Sequence, residues 1–240
     1  VGVTGIVVGM NMMRLNAVLE GPALSCFDRL IRHSIATAFL ARHLVEGVAG
    51  RGPAARPLPV ARVGVSFTAG LLHDFGKIIL VYNFPTEGAE LYERRRLEAE
   101  FNDPDVRAIE QLIFGCDHTE AGEFVARKLG FPEALIDVIR FHHDPQALTG
   151  TAETDQLVRA TAAANLAAKA MGYGIAAPDA WETVVAHPAW KRIVEQDLPG
   201  LTPAGLAADV QRQREKLDQY VSSLLTPDAT GKKPRAAGGA

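Results

Sequence analysis

Seven histidines run along this chain, and five of them stand among apolar residues where a hydrophobe would be the easier choice. His33 sits in RHS within a long helical pattern. His73 and Asp74 sit in GLLHDFGK, His118 opens HTEAG, and His142-His143 come just before Asp144-Pro145. Neutral imidazole and carboxylate are the ligands that divalent transition metals prefer. A buried histidine cluster with neither metal nor acid partner loses hydration for little return. An adjacent His-Asp pair on a helix points its side chains about 100° apart, so the pair serves one cavity only if other helices close around it. His33, His118 and His142 are the histidines such helices would deliver. Lys77 lies one turn beyond the pair, within reach of a phosphate bound at a metal there. His43 and His187 fall outside the constellation and are expected to be ordinary histidines hydrogen-bonded to backbone.

The elements that must position these residues read as helices. Alanine and leucine are abundant, and strand-like alternation is scarce. Residues 23–47 carry Leu24, Phe27, Ile31, Ile35, Phe39 and Leu44 at spacings of three to five, with Pro22 suited to a first turn and Gly47 to a stop. A Gly- and Pro-rich loop over 48–61 is expected next, then one apolar helix from Val65 to Tyr82. A charged helix over Glu87–Phe101 is followed by a cap-like Asn102-Asp103 before Pro104. Further helices are expected over Asp105–Phe114, His118–Leu129, Glu133–His142, Glu153–Met171, Ala180–Gln196 and Pro203–Leu225. In the last, Leu206, Val210, Leu217, Val221 and Leu224 form one stripe. Trp181 and Trp190 are expected to fill core gaps between the later helices. Glu93-Arg94-Arg95-Arg96 reads as a solvated face. The fold class is all-α, a compact multi-helix bundle over residues 1–225, with a disordered tail over 226–240.

Composition narrows the function. The chain has 240 residues, 48% hydrophobic and 22% charged, with 25 Lys and Arg against 28 Asp and Glu for a net charge of −3. No single-sign field exists to grip a phosphate backbone, so no nucleic-acid partner is expected, and KKPR in the tail is too short to change that. Cys26 and Cys116 read as two reduced thiols, as suits a cytoplasmic protein. The opening VGVTGIVVGMNMM meets Arg14 and Asn16 too soon for a membrane span of roughly 20 residues. No GxxxxGK[ST], GxGxxG or GxSxG motif is present. Gly172–Gly174 reads as a helix stop.

The order H … HD…GK … H…E…G … HH on consecutive helices resembles the HD superfamily of metal-dependent phosphohydrolases. The wording of RHSIATAFLAR, FTAGLLHDFGKIIL and EQLIFGCDHTEAGEFVARKLGFPEALIDVIRFHHDP is similar to its HDOD branch (HD-related output domain), over about Val1 to Met171. The resemblance implies an HD-like bundle and a metal set of His33, His73, Asp74, His118, His142 and His143. Helices that normally precede the stretch matching Val1–Glu20 have no counterpart, as in a chain that starts inside the domain. The apolar run Val7, Val8, Met10, Met12, Met13 and Leu15 is then where an uncovered core would show. Catalytic HD enzymes place an aspartate on a later helix, and the residue aligned there is Asn165, a neutral and weaker ligand.

Three functions are open. In the first, the chain is a bacterial signal-transduction or output module acting through a signalling protein partner or self-association. Its pocket is then kept as structure or for a nucleotide or phosphate ligand, without phosphohydrolase activity. In the second, it is a metal-dependent phosphohydrolase, for example on cyclic dinucleotides. One or two Fe, Mn, Mg or Zn ions, with no organic cofactor, then make a hydroxide. Asp74 bridges, and Lys77 steadies the phosphoryl charge. In the third, it is a helical adaptor whose histidines only bond one another or the backbone.

Overall fold

The computed structural model describes residues 19–49, 60–97, 106–147, 150–175, 178–198 and 200–225, and all regular structure among them is helical. The helices are α1 (Gly21–Ala49), α2 (Val60–Leu72), α3 (Phe75–Asn83), α4 (Pro85–Leu97), α5 (Val106–Phe114) and α6 (His118–Lys128). They continue with α7 (Glu133–Phe141), α8 (Ala152–Ala168), α9 (Trp181–Ala186), α10 (Pro188–Asp197), α11 (Pro203–Gln211) and α12 (Arg214–Leu225). A π-helical turn, Lys169–Tyr173, closes α8. The all-α bundle expected from the periodicity is the fold observed. The apolar opening run, the Asn102-Asp103 cap, most of the Gly/Pro-rich loop and the 226–240 tail lie outside the described residues.

Helix α1 is the central rod. From Leu30 to Ala41 it is buried on nearly every side, as a helix apolar all round must be. It packs against α2, α3, α4 and α8, and also meets α12. The helix runs two residues past Gly47, the expected stop. Two glycines let backbones approach where a side chain could not fit. A Cβ on Gly70 would sit 2.5 Å from Ala38 Cα, and one on Gly76 would sit 1.7 Å from the His118 carbonyl oxygen. These contacts set α2 against α1 and α3 against α6, on either side of His73-Asp74.

Three expected helices are broken. Val65–Tyr82 divides at a turn made by His73 and Asp74 themselves, so these residues are not successive positions on one helix. Its two halves together, Gly64–Asn83, have a mean hydropathy of 1.3, enough for a membrane span by composition, yet 78% of the most apolar window is buried in the bundle. Ala180–Gln196 divides at His187, which adopts φ −65°, ψ 135° ahead of Pro188 because proline disfavours the helical conformation in the residue before it. Pro203–Leu225 divides at Arg212-Gln213. Its stripe is buried at Leu206, Val210, Leu217 and Val221, but Leu224 is 42% exposed.

Trp190 is fully buried, donates to the Pro203 carbonyl at 3.0 Å and meets Trp181 edge-on with ring centroids 6.2 Å apart. Both tryptophans thus pack between the later helices. Glu93 departs from a purely solvated face, since it is ion-paired with Arg29 of α1.

Candidate metal centre

The histidines arrive on four separate segments, His142 and His143 together, each for a local reason. His33 comes from the middle of α1. Asp74 occupies the N-cap position of α3, where an aspartate normally bonds the helix's first amides. Here it makes no capping bond, and its carboxylate turns inward. His118 is the first residue of α6 because Asp117 caps that helix, accepting from the Thr119 and Glu120 amides at 2.7 and 3.0 Å. Glu120 completes the capping box by accepting from the Asp117 amide at 3.2 Å. His142 is the C-cap of α7, and His143 follows it in the turn.

These side chains converge on Asp74. Its Oδ2 lies 3.5 Å from His33 Nε2 and 3.4 Å from His73 Nε2, and it accepts from Lys77 Nζ at 2.9 Å. Its Oδ1 lies 3.5 Å from His118 Nε2 and 3.4 Å from His142 Nε2. His118 Nε2 is also 3.1 Å from His143 Nε2. The donors form two groups that share Asp74, one of His33, His73 and Asp74, the other of Asp74, His118, His142 and His143. Within each group the ligand atoms lie within 4.8 Å of one another. Asp74 is fully buried, and His33, His73, His118 and His142 are no more than 3% exposed. His143 is half-buried.

The outer nitrogens explain the orientation. His33 Nδ1 donates to the Tyr173 carbonyl at 3.1 Å, and His73 Nδ1 donates to the Gly70 carbonyl at 2.8 Å. His142 Nδ1 donates to the Ile139 carbonyl at 3.1 Å, and His118 Nδ1 donates to Glu110 Oε2 at 2.6 Å. A carbonyl or carboxylate can only accept, so all four rings carry a proton on Nδ1 and turn Nε2, the nitrogen that bears the lone pair in a neutral ring of this tautomer, toward Asp74. This is the arrangement that metal-ligating histidines adopt. His142 Nε2 and Asp74 Oδ1 have no hydrogen-bond partner among the described residues. Buried, partnerless and aimed at one another's neighbours, these atoms fit a cation.

Charge states agree. Burial, reinforced by neighbouring histidines, lowers His142 to a pKa of about 3 and takes His33 well below its usual range. Burial, then His142 and His118, lowers His143 in the same way. All three are therefore neutral, as metal ligands must be. Burial pushes Asp74 up, but the Lys77 ammonium, which donates to it, and then His73 outweigh burial and hold the carboxyl well below the usual range.

His33, His73, His118, His142 and His143 are thus brought together around Asp74. Asn165 is buried on α8 with its Oδ1 unpartnered among the described residues. Lys77 is inside the cluster, bound to Asp74. His187 caps α10, accepting from the Ala189 amide, and His43 pairs with Asp209 at 3.0 Å, so His43 bonds a side chain rather than backbone. Cys26 and Cys116 are both free thiols.

Two supporting roles were not readable from the residues. Glu110 fixes His118 through both its ring and its backbone N–H, the latter at 2.9 Å, while accepting from the Tyr92 hydroxyl at 2.7 Å. The Tyr173 carbonyl carries no sequence signal at all.

A helical bundle with a histidine–aspartate cage of this order defines an HD-type domain. The HDOD domain family matches residues 2–145, and the chain belongs to that family. The match ends before α8, so Asn165 and everything after it lie beyond.

Among solved structures, an HDOD domain protein of unknown function from Geobacter sulfurreducens is similar with a TM-score of 0.60 and 21% identity. The match covers 83% of this chain and 63% of that one. A phosphohydrolase candidate from Shewanella amazonensis SB2B has a TM-score of 0.54 at 18% identity, covering 82% and 64%. A signal-transduction protein candidate from Marinobacter aquaeolei VT8 has a TM-score of 0.58 at 18% identity, covering 82% and 39%. An uncharacterized protein of Treponema pallidum (strain Nichols) is 31% identical over 84 residues, 35% of this chain and 16% of that one. The chain therefore spans less than two thirds of each of these relatives. At such identities the solved structures speak to the fold.

Proposed function

We propose that the chain is a signal-transduction output module whose histidine–aspartate cage holds one or two divalent transition metals and does not turn over phosphate esters. In this reading it is a cytoplasmic bacterial regulator working through a protein partner or a second copy of itself. The observation that carries it is the enclosure of the cage, since the Nε2 lone pairs and Asp74 point inward with almost no exposed surface. Metal sites that serve structure are closed, whereas catalytic ones keep an open position. Two further features support it. Lys77 is committed to Asp74 instead of an incoming phosphate, and the residue aligned to the catalytic aspartate is the neutral Asn165. The nitrogen-rich donor set favours Fe or Zn over Mn and Mg, which prefer oxygen.

One observation favours the phosphohydrolase reading instead. Asp74 offers one oxygen to each histidine group, as a carboxylate bridging two ions would. A single preparation tests both. Elemental analysis after reconstitution with Fe, Mn or Zn is expected to give one or two ions per chain, and assays with bis-(4-nitrophenyl) phosphate and cyclic di-GMP are expected to stay at background. Clear turnover overturns the output-module reading, and absence of bound metal overturns the cage's role in both.

A further inference from the structure

The acceptor that orients His33 comes from outside the stretch that matches the HDOD family. Tyr173 ends the π-helical turn after α8, beyond residue 145 where the match stops. π-Helical turns are rare and are frequent at functional sites. This one contains Gly172 at φ 77°, a left-handed residue immediately before Tyr173. The turn is held from the far side by α12. Tyr173 donates its hydroxyl proton to Asp218 Oδ1 at 2.6 Å. Arg214 binds the same carboxylate through Nε at 2.8 Å and donates a second nitrogen to the Met171 carbonyl at 3.0 Å. Arg214 and Asp218 are four residues apart, so one face of α12 presents both to the turn. The helix itself is seated by buried Leu217 and Val221 and by Tyr220, whose ring centroid lies 5.5 Å from that of Phe39 on α1.

We propose that Arg214 and Asp218 are positioning residues for the metal group of His33, His73 and Asp74, acting through the π-helical turn and the Tyr173 carbonyl. This inference rests on the reading of the cage as a metal centre. A histidine whose Nδ1 loses its acceptor can rotate or exchange tautomers, and its Nε2 lone pair then leaves the cage. Nothing else among the described residues accepts from His33 Nδ1. The dependence falls on one group only, because His118 and His142 take their acceptors from α5 and α7. By linkage, a metal at the His33 group tightens α12, so the last helix reads out that group's occupancy.

The test compares wild type with R214A/D218A by cobalt(II) titration, following the visible absorption of each bound ion. The double variant is expected to weaken one cobalt site by about tenfold, the low end for lost outer support, and alter its spectrum, leaving the other unchanged. D218N, whose amide oxygen still accepts from Tyr173, is expected to retain wild-type behaviour. In metal-free protein, ring nitrogen shifts are expected to show His33 fixed as the Nδ1–H tautomer in wild type and mixed in the double variant. Equal weakening of both sites indicates general loosening and overturns the inference, as do unchanged cobalt affinities with unchanged His33 shifts. Wild-type protein that binds no cobalt overturns the metal reading, and the His33 shifts then decide the clamp alone.

Discussion

His33 Nε2 lies 3.2 Å from His73 Nε2 while each ring donates its Nδ1 proton to a backbone carbonyl, so in the neutral rings two lone pairs would face one another across a buried gap. Such a contact is unfavourable between neutral rings, and either a proton or a cation between them relieves it. Burial opposes a proton on His33, which is held well below its usual pKa. A divalent metal beside Asp74 would convert the repulsion into coordination.

Acid should destabilise the metal-free protein over a defined window. His142 falls from 6.5 to about 3 through burial, and His33, His143 and Asp74 are also depressed. As pH drops, the unfolded chain therefore takes up protons first. Stability is full above 6.5 and declines as pH falls toward about 3. The slope is at most about 1.4 kcal/mol per pH unit for each histidine involved. Urea midpoints at about pH 7.5, 6 and 5 check this, and a flat profile would contradict a cage of neutral imidazoles.

Glu110→Gln should loosen metal binding more than it loosens the fold. The amide keeps one acceptor oxygen, so it serves only one of Tyr92 and His118, and its new NH2 group faces the other. Loss of this kind of support lowers metal affinity by about 10- to 100-fold. Tyr92→Phe removes only the hydroxyl, so it should cost about 1 kcal/mol of stability and leave affinity nearly intact. Competition with a chromophoric chelator separates the two variants, and equal affinities would show that Glu110 does not orient His118.

Gly76→Ala should be among the most damaging single-methyl additions available. Its Cβ would lie 1.7 Å from the His118 carbonyl oxygen, backbone against backbone, so α3 and α6 must part. The expected loss is at or above the upper end of about 1–3 kcal/mol. Gly47→Ala meets nothing within 4 Å inside α1 and should instead stabilise by about 0.5–1 kcal/mol. Thermal melts of both variants make the comparison, and a Gly76→Ala melt equal to wild type would refute the close approach.

Asn165→Asp should reveal whether the amide belongs to the cage. A buried carboxylate with no partner is expected to lower metal-free stability by about 1–3 kcal/mol. If the new carboxylate becomes a ligand, divalent metal restores that loss and binds more tightly than in wild type. Denaturation with and without Mn or Zn measures both effects. A loss that metal does not restore would place Asn165 outside the ligand set.

Much of the site could be read along the chain because its chemistry is carried by residue type. Histidine and aspartate inside apolar helical runs are conspicuous, and His33, His73, Asp74, His118, His142 and His143 all stood out before any fold was known. The Asp117 cap that starts α6 at His118 follows from local rules. The break at His187-Pro188 was equally local, since the proline announces it, although one continuous helix was expected there.

Other features belong to the tertiary structure alone. No glycine or proline marks the turn at His73-Asp74. Packing of α2 on α1 through Gly70 and of α3 on α6 through Gly76 places it there. The division at Arg212-Gln213 likewise lacks a breaking residue. Glu110, Tyr92 and the Tyr173 carbonyl acquire roles only because distant segments meet. Residue identity thus determined which groups could bind a metal, through their protonation chemistry and hydrophobic surroundings. Which atom of each ring faces inward, and which backbone oxygen holds it so, was decided by helix packing, because a hydrogen-bond acceptor 140 residues away along the chain leaves no local pattern.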